Sequence, residues 1–433
     1  MIKTVSPSSL SGTLAVMPSK SASHRAVMMA ALSGGETTLS PLQLSQDIVA
    51  TLSCAKALGL VGDISTSQHE HPGFVHVSLF GGQAYSGSAM RVLDCGESGS
   101  TLRFFIPLAL DGLGPVRFVG HGRLMQRPLD IYEEMFRPMG IRWERTGDCL
   151  TVDGKLSPGT YSLRGDVSSQ FITGLLLALP QLRADSVIRI TTKLESRAYV
   201  ELTRRVQALF GVVSHWQDEN TLLIPGRQTP VSPGRAAVES DWSHAAFYLT
   251  AGCLAYGGPL RLIGLDMNST QGDRAMLDIL RSMGAIINIK DGVIGICPSR
   301  LHAITVDASQ IPDLVPILAV AMAAAEGESR ITGAARLRIK ESDRLSAMRA
   351  ALTACGADVT ELPDGLIIRG GKPLHAASID GSNDHRIVMA MAVASAIADG
   401  DLTISDAQAV SKSAPAFWEE FASLGGFAQT KNL

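Results

Sequence analysis

At 433 residues the chain has room for two or three domains of ~150 residues each. Hydrophobic residues make up 45% and charged residues 18%, below the ~25% of an average globular domain, which permits a large core and excludes intrinsic disorder. With 38 basic and 41 acidic residues the net charge is −3, so a generally basic nucleic-acid binder is excluded and any attraction for an anion has to be local. No apolar run reaches the ~18 residues of a membrane span; the longest, such as Val315 to Ala325, hold a proline. The opening MIKTVSPSSL lacks the charged-then-apolar pattern of a secretory signal. Cys54, Cys95, Cys149, Cys253, Cys297 and Cys355 are scattered with no CxxC spacing, so they read as reduced thiols of a cytoplasmic protein, and no metal is expected.

In chain order, six segments share one plan of a small polar turn, an apolar stretch of helical length, a break and a β-like run. They are KSASHRAVMMAALSGG, ESGSTLRFFIPLALDG, VSSQFITGLLLALPQ, SDWSHAAFYLTAGCLAYGG, SQIPDLVPILAVAMAAAEG and GSNDHRIVMAMAVASAIADG. Anchored on Ser23, Ser100, Ser169, Ser243, Pro312 and Asp384, they are spaced by 77, 69, 74, 69 and 72 residues. Strand-like runs follow, including VRFVG at 116–120, SVIRITT at 186–192, LRLIGL at 260–265 and LTISD at 402–406. The six helices are apolar nearly all round and are expected to be buried. A second, more amphipathic helix recurs at 127–140, 199–211, 272–284 and 343–356, each segment ending on a glycine suited to a helix C-cap. His69, His71 and His76 have metal-like spacing, but Pro72 and Gly73 between them point to a surface hairpin.

Six α/β modules of about 72 residues exceed one core, so two domains of three modules each are expected. The Pro- and Gly-rich stretch at 222–240 is the natural junction, and the strand before Lys20 is free to belong to either half. A polar helix start presents unpaired N–H groups and the positive end of the helix dipole, which suits phosphate or carboxylate. Any one such turn is most simply a cap. What changes the balance is the set of side chains stacked there. These are Lys20, Ser21, His24 and Arg25; Glu97, Ser98, Gly99, Ser100 and Arg103; Ser168, Ser169 and Gln170; Asp313; and Asp384, His385 and Arg386. Arg123, Arg127, Lys340, Arg344 and Lys412 lie in the loops between modules. With Asp313 and Glu341 they describe a site for a multiply charged anion and an acid/base pair.

The stretches PSKSASHRAVMMAAL, GESGSTLRF, QRPLD, SSQFITGLLLALP, ESRAY, IPDLVPILAVAMAAAEG, RIKESDRL, NDHRIVMA and SKSAPAF occur in the order of a known family. Through them the chain resembles the 5-enolpyruvylshikimate-3-phosphate synthase family over nearly its whole length. The resemblance implies a two-domain, inside-out α/β barrel-like fold of six repeated βαβαββ modules. Domain one would be 1–19 plus 239–433, and domain two 20–238. The implied reaction joins phosphoenolpyruvate to the 5-hydroxyl of shikimate 3-phosphate through a tetrahedral intermediate, releasing phosphate, with no metal or organic cofactor. By resemblance Asp313 accepts the hydroxyl proton, while Glu341 with Lys20 handles the proton at the methylene carbon. Phosphoenolpyruvate would be held by Arg127, Arg344, Arg386 and Lys412, aided by Gly99, Gln170 and Lys20. Shikimate 3-phosphate would meet Lys20, Ser21, Arg25, Ser168, Ser169, Gln170, Ser196, Tyr199, Asp313 and Lys340. The implied protein is a cytoplasmic monomer whose partners are small molecules, with neither nucleic acid nor membrane involved.

Two departures from the family pattern stand out. Glu97-Ser98-Gly99-Ser100 replaces a common Asn-Ala-Gly-Thr, and Arg336 replaces a common Asn, so Arg336 is left out of the expected site. The nearest enzymatic alternative is a UDP-N-acetylglucosamine enolpyruvyl transferase. That family carries a cysteine five residues before the Arg of RPLD, where this chain has Gly122. A non-enzymatic six-module scaffold would need a basic surface interleaved with aromatics, against a net charge of −3 and 5% aromatics here.

Overall fold

The apolar segments with polar starts are helices in the computed structural model, which describes residues 1–83 and 89–431. The helices are α1 (Lys20–Leu32), α2 (Gln46–Ala57), α3 (Gly99–Leu108), α4 (Asp130–Phe136), α5 (Ser169–Ala178), α6 (Arg197–Leu209), α7 (Trp242–Leu254), α8 (Met276–Ser282), α9 (Val315–Ala324), α10 (Arg344–Ala354), α11 (His385–Ala394) and α12 (Phe417–Ser423). The polar turns cap them. Ser98 accepts from the Thr101 N–H, Ser168 from Gln170, Asp241 from His244 and Asp384 from Arg386, which satisfies N–H groups a helix start leaves open. The glycines that close the second-helix segments, Gly140, Gly211, Gly284 and Gly356, all take positive φ, the left-handed conformation that ends a helix at little cost to glycine.

The chain divides into two units, Met1–Ser19 with Glu239–Leu433, and Lys20–Val238. In the Lys20–Val238 unit, α1, α3 and α5 are buried along nearly their whole length. Gly174 lets α3 and α5 close together: a Cβ there would lie 2.4 Å from the Arg103 carbonyl oxygen. In the other unit α7, α9 and α11 pack against one another, with every residue from Val315 to Ala323 buried. These helices bury apolar side chains on all faces, so the sheets lie outside them.

Among the described residues there are six four-stranded sheets, all built alike: a parallel pair, then two antiparallel neighbours. In the second module Arg91–Asp94 runs parallel to Val116–Val119, which pairs with Cys149–Asp153 and so with Arg142–Thr146. Three modules borrow a strand from far along the chain. Arg235–Ala237 lies parallel to Gly35–Leu42, closing the unit on its own start. Gly12–Ala15 lies parallel to Leu260–Ile263, and Ile2–Ser6 sits between Leu402–Ile404 and Phe427–Lys431, so the first 19 residues complete sheets of the C-terminal half. The histidine segment is the expected hairpin: Ile64–Gln68 pairs with Val75–Gly81 across it, and His76 Nδ1 meets Ser40 Oγ at 2.6 Å. No group of three potential metal ligands occurs among the described residues, and each of the six cysteines is a free thiol.

Candidate active site

In the Lys20–Val238 unit the starts of α1, α3 and α5 carry a dense polar cluster. Lys20 Nζ pairs with Asp47 Oδ2 at 3.0 Å. Beneath it, His24 Nδ1, Thr51 Oγ1, Thr101 Oγ1 and Ser98 Oγ follow one another at contacts of 2.7 Å, tying α1, α2 and α3 together at that end. Burial, then Lys20 and Arg25, hold the His24 imidazole well below its usual value, so it serves this network neutral. Gly99 lies under two guanidinium groups: a Cβ there would stand 2.7 Å from Arg127 Nη1 and 2.9 Å from Arg103 Nη1. Arg127 and Arg103 are both buried, 6% and 3% exposed. Arg103 Nη1 donates to Gln170 Oε1 at 2.7 Å, and Gln170 Nε2 donates to Ser100 Oγ at 2.9 Å, so the amide orientation of Gln170 is set from both ends.

Arg25, on α1, is buried. Its nitrogens donate to the Ser21 carbonyl at 2.7 Å, Thr203 Oγ1 at 2.8 Å, the Tyr199 carbonyl at 3.2 Å and Thr173 Oγ1 at 3.3 Å. Its guanidinium lies 5.8 Å from the Tyr199 ring centroid, and burial pushes it down to about 10 against the pull of Tyr199. Ser196, buried, starts α6 in the left-handed region at φ 55°.

In the other unit, charges of both signs interlock at the starts of α9, α10 and α11. Arg344, 1% exposed, bonds Asp384 through Nε at 2.8 Å, Glu341 through Nη2 at 2.9 Å and Asp313 through Nη1 at 3.0 Å. Arg386 reaches Asp313 Oδ2 at 3.2 Å and the Asp313 carbonyl at 2.9 Å. Ser342 Oγ adds a bond to Asp384 at 3.0 Å, and Lys412 Nζ donates to the Asn383 carbonyl at 2.6 Å. Burial alone would raise the Asp313 carboxyl, but Arg386, Lys340 and Arg344 outweigh it and hold it well below the usual carboxylate range. Burial likewise opposes ionisation of Asp384, and Arg344 reverses that. For Lys340 burial wins: its ammonium is pushed down to about 8 although Asp313 and Glu341 favour the charged form. One unit thus holds a hydrogen-bonded Arg/Gln/Ser cluster and the other a carboxylate pair bonded by arginines, residue types suited to phosphate and carboxylate recognition and to proton transfer.

The family model described as EPSP synthase (3-phosphoshikimate 1-carboxyvinyltransferase) matches residues 5–421. The chain belongs to that family. It is 44% identical over 423 residues to a 3-phosphoshikimate 1-carboxyvinyltransferase of Clostridium novyi (strain NT), covering 97% of this chain and 96% of that one. To the enzyme of the same name from Clostridium perfringens (strain ATCC 13124) it is 41% identical over 425 residues, covering 98% of each. Among solved structures, EPSP synthase from Acinetobacter baumannii is similar with a TM-score of 0.79 at 27% identity, covering 99% of this chain and 100% of that chain. An enolpyruvyl transferase from Streptomyces tendae, 17% identical with a TM-score of 0.79 over 99% of this chain and 98% of that one, shares the fold.

Within this EPSP synthase family member, the residues expected from the sequence divide between the two units. Lys20, Ser21, Arg25, Gly99, Arg127, Ser168, Ser169, Gln170, Ser196 and Tyr199 lie in the Lys20–Val238 unit, and Asp313, Lys340, Glu341, Arg344, Arg386 and Lys412 in the other. The expectation did not foresee how these residues are held. Asp47, Arg103 and Asp384 anchor Lys20, Gln170 and Arg344; Asp47 was not singled out in the sequence, and Arg103 and Asp384 stood there only among the residues at helix mouths. Arg336 is buried beside Lys340 and donates to the Ser309 carbonyl at 2.5 Å, and its charge lowers Lys340. The Glu97 carboxylate lies against Gly122: a Cβ on that glycine would come 2.7 Å from Glu97 Oε2, and Gly122 sits at φ 57°. A cysteine side chain at this position would be strained by the left-handed backbone and would have to displace the Glu97 carboxylate.

Proposed function

We infer that the chain transfers the enolpyruvyl group of phosphoenolpyruvate to the 5-hydroxyl of shikimate 3-phosphate, as a 3-phosphoshikimate 1-carboxyvinyltransferase of aromatic amino-acid biosynthesis. The observation that carries the residue assignment is Arg344, one buried guanidinium holding both Asp313 and Glu341 within 3.0 Å. In the addition step, the 5-hydroxyl oxygen bonds to the substituted carbon of phosphoenolpyruvate. Its proton goes to Asp313, while the methylene carbon gains a proton from Glu341 with Lys20. Elimination returns that proton to the protein as the carbon–oxygen bond to phosphate breaks. Asp313 is ionised and thus able to accept a proton from the start.

In this reading Arg127, Arg344, Arg386 and Lys412 take the carboxylate and phosphate of phosphoenolpyruvate, with Gly99, Gln170 and Lys20. Forked guanidinium groups match both anions. Shikimate 3-phosphate takes Lys20, Ser21, Ser168, Ser169, Gln170, Ser196, Asp313 and Lys340, with Tyr199 against its ring. Arg25, whose donors are spent on Ser21, Tyr199, Thr173 and Thr203, contributes charge to the phosphate and holds Tyr199 in place. The reaction so written needs no metal and no organic cofactor. The protein is read as a cytoplasmic monomer acting on small molecules; no helix among the described residues is long and apolar enough to cross a membrane.

The test is phosphate release from phosphoenolpyruvate, which is expected only when shikimate 3-phosphate is present. Turnover with UDP-N-acetylglucosamine in its place would overturn the assignment in favour of the alternative transferase.

A further inference from the structure

Helix α6 opens unlike the serine- and aspartate-capped helices described above. Ser98, Ser168, Asp241 and Asp384 hold extended backbone at their helix starts, whereas Ser196 is left-handed, at φ 55° and ψ 42°. A residue with a Cβ takes that conformation at a cost, and it persists only where the surroundings over-determine it. Around Ser196 those surroundings form a clamp. Arg197, Glu201 and Arg204 stand at i, i+4 and i+7 and so share one face of α6. They grip the segment that enters the hairpin of His215–Trp216 and Thr221–Ile224. The Arg197 guanidinium lies 4.0 Å from the centroid of the half-buried Trp216 ring, and its Nη1 donates to the Glu219 carbonyl at 2.9 Å. Trp216 Nε1 donates to Glu201 Oε1 at 2.6 Å, and Arg204 Nη2 donates to the Ser214 carbonyl at 2.7 Å.

We propose that Arg197 and Trp216 are positioning residues for shikimate 3-phosphate: their stacked contact keeps Ser196 left-handed, and so at the spacing from Tyr199 that the substrate requires. The proposal rests on the reading that Ser196 and Tyr199 meet that substrate. Arg197 follows Ser196 directly, so a fixed Arg197 leaves the Ser196 backbone little room to relax toward the extended form usual at a helix start. The turn is closed by the Ser196 carbonyl, which accepts the Tyr199 N–H at 3.1 Å. Arg25 grips the same helix further on, through the Tyr199 carbonyl at 3.2 Å and Thr203 Oγ1 at 2.8 Å. The body of α6 therefore keeps its place without the clamp, and the residue at its start does not. Releasing the clamp lowers the share of molecules in which Ser196 is set for the substrate. Apparent affinity falls by that share. The rate at saturation does not, because bound substrate selects the competent form.

The experiment is phosphate release with shikimate 3-phosphate varied at saturating phosphoenolpyruvate, and the reverse, for the intact protein, Arg197→Met, Trp216→Leu and Trp216→Phe. Arg197→Met and Trp216→Leu are expected to raise the KM for shikimate 3-phosphate about 3- to 30-fold, the worth of a partly buried cation–π contact. Their kcat and their KM for phosphoenolpyruvate are expected to stay within about twofold of the intact protein. The double variant is expected to match the poorer single one, since both changes remove one contact. Trp216→Phe, which keeps a ring face for Arg197, is expected to recover most of the KM. A purely structural role would lower Tm and the amount of active enzyme, hence the apparent kcat, and leave the KM for shikimate 3-phosphate level. That result, or an equal rise in both KM values, overturns the proposal. If Trp216→Leu fails to fold by circular dichroism, Arg197→Met alone decides: an unmoved KM for shikimate 3-phosphate overturns the proposal. Absence of turnover with shikimate 3-phosphate in the intact protein is a different result and refutes the functional reading itself.

Discussion

Gly99→Ala perturbs the candidate anion cradle with a single methyl group. That methyl would stand 2.7 Å from Arg127 Nη1, 2.9 Å from Arg127 Cζ and 2.9 Å from Arg103 Nη1. Ordinary contact needs ~3.5 Å, so the nearest approach falls short by roughly 0.8 Å. The atoms it meets are the far ends of flexible side chains, and the guanidinium groups are the parts that give way. The cost to the fold is therefore at the low end of the ~1–3 kcal/mol of overpacking, a fall in Tm of about 2–4 °C. The cost to binding is larger, because a displaced Arg127 no longer aims its nitrogens at the anion. Losing one charge-assisted hydrogen bond is worth ~1.5–3 kcal/mol, or about 10- to 150-fold in KM for phosphoenolpyruvate. Phosphate release with phosphoenolpyruvate varied, then with shikimate 3-phosphate varied, separates the two substrates. A phosphoenolpyruvate KM within twofold of wild type, or an equal loss for both substrates, would refute the placement of Arg127 at the phosphoenolpyruvate end.

Asp313→Asn is expected to lower kcat by ~10²–10⁴, the usual worth of a general base, while the KM for phosphoenolpyruvate stays level or falls because Arg344 and Arg386 lose a competing carboxylate; a near-normal kcat would remove Asp313 as the base. Gly122→Ala forces a left-handed backbone on a side chain that also meets Glu97, with an expected loss of about 1–2 kcal/mol read as a lower midpoint in urea. Adding Glu97→Ala should recover only the part due to contact, and no recovery at all would show that Glu97 does not press on this loop. Glu420 ties α12 to α7 by accepting from Tyr248 at 2.8 Å and meeting His244 Nε2 at 2.6 Å. Burial opposes its ionisation, but His244 and Tyr248 together hold its carboxyl below the ordinary value. A depressed carboxyl contributes stability that is present above its unfolded value of ~4.3 and is lost as the pH falls through the folded one. The Tm deficit of Glu420→Gln is therefore expected to be greatest at neutral pH and to shrink below about pH 4; a deficit independent of pH would contradict the charge pairing.

The six inner helices were legible from the chain because their signal is local. Val315–Ala324 and His385–Ala394 are apolar on every face, and a helix of that kind has to be buried whatever surrounds it. The helix ends were legible for the same reason: Gly140, Gly211, Gly284 and Gly356 stand where a left-handed residue is required. The residue types of the site were equally visible, since Lys, Arg, Ser and Gln at helix mouths state anion chemistry in any fold. Sheet completion was not visible. Ile2–Ser6 and Leu402–Ile404 pair across about 400 residues through backbone hydrogen bonds, which carry no sequence signature. Nor was the division of labour among the charges. In the sequence Asp273 and Asp384 are aspartates near the starts of helical segments, and Asp313 is set apart from them only by the family resemblance. Only packing makes Asp384 the bed of Arg344, keeps Asp313 ionised between two arginines and leaves Asp273 buried with a single hydroxyl donor. The chain by itself determined which chemical groups are available and where its helices begin and end. Their protonation and orientation follow from burial and from charges brought close in space, which tertiary structure alone decided.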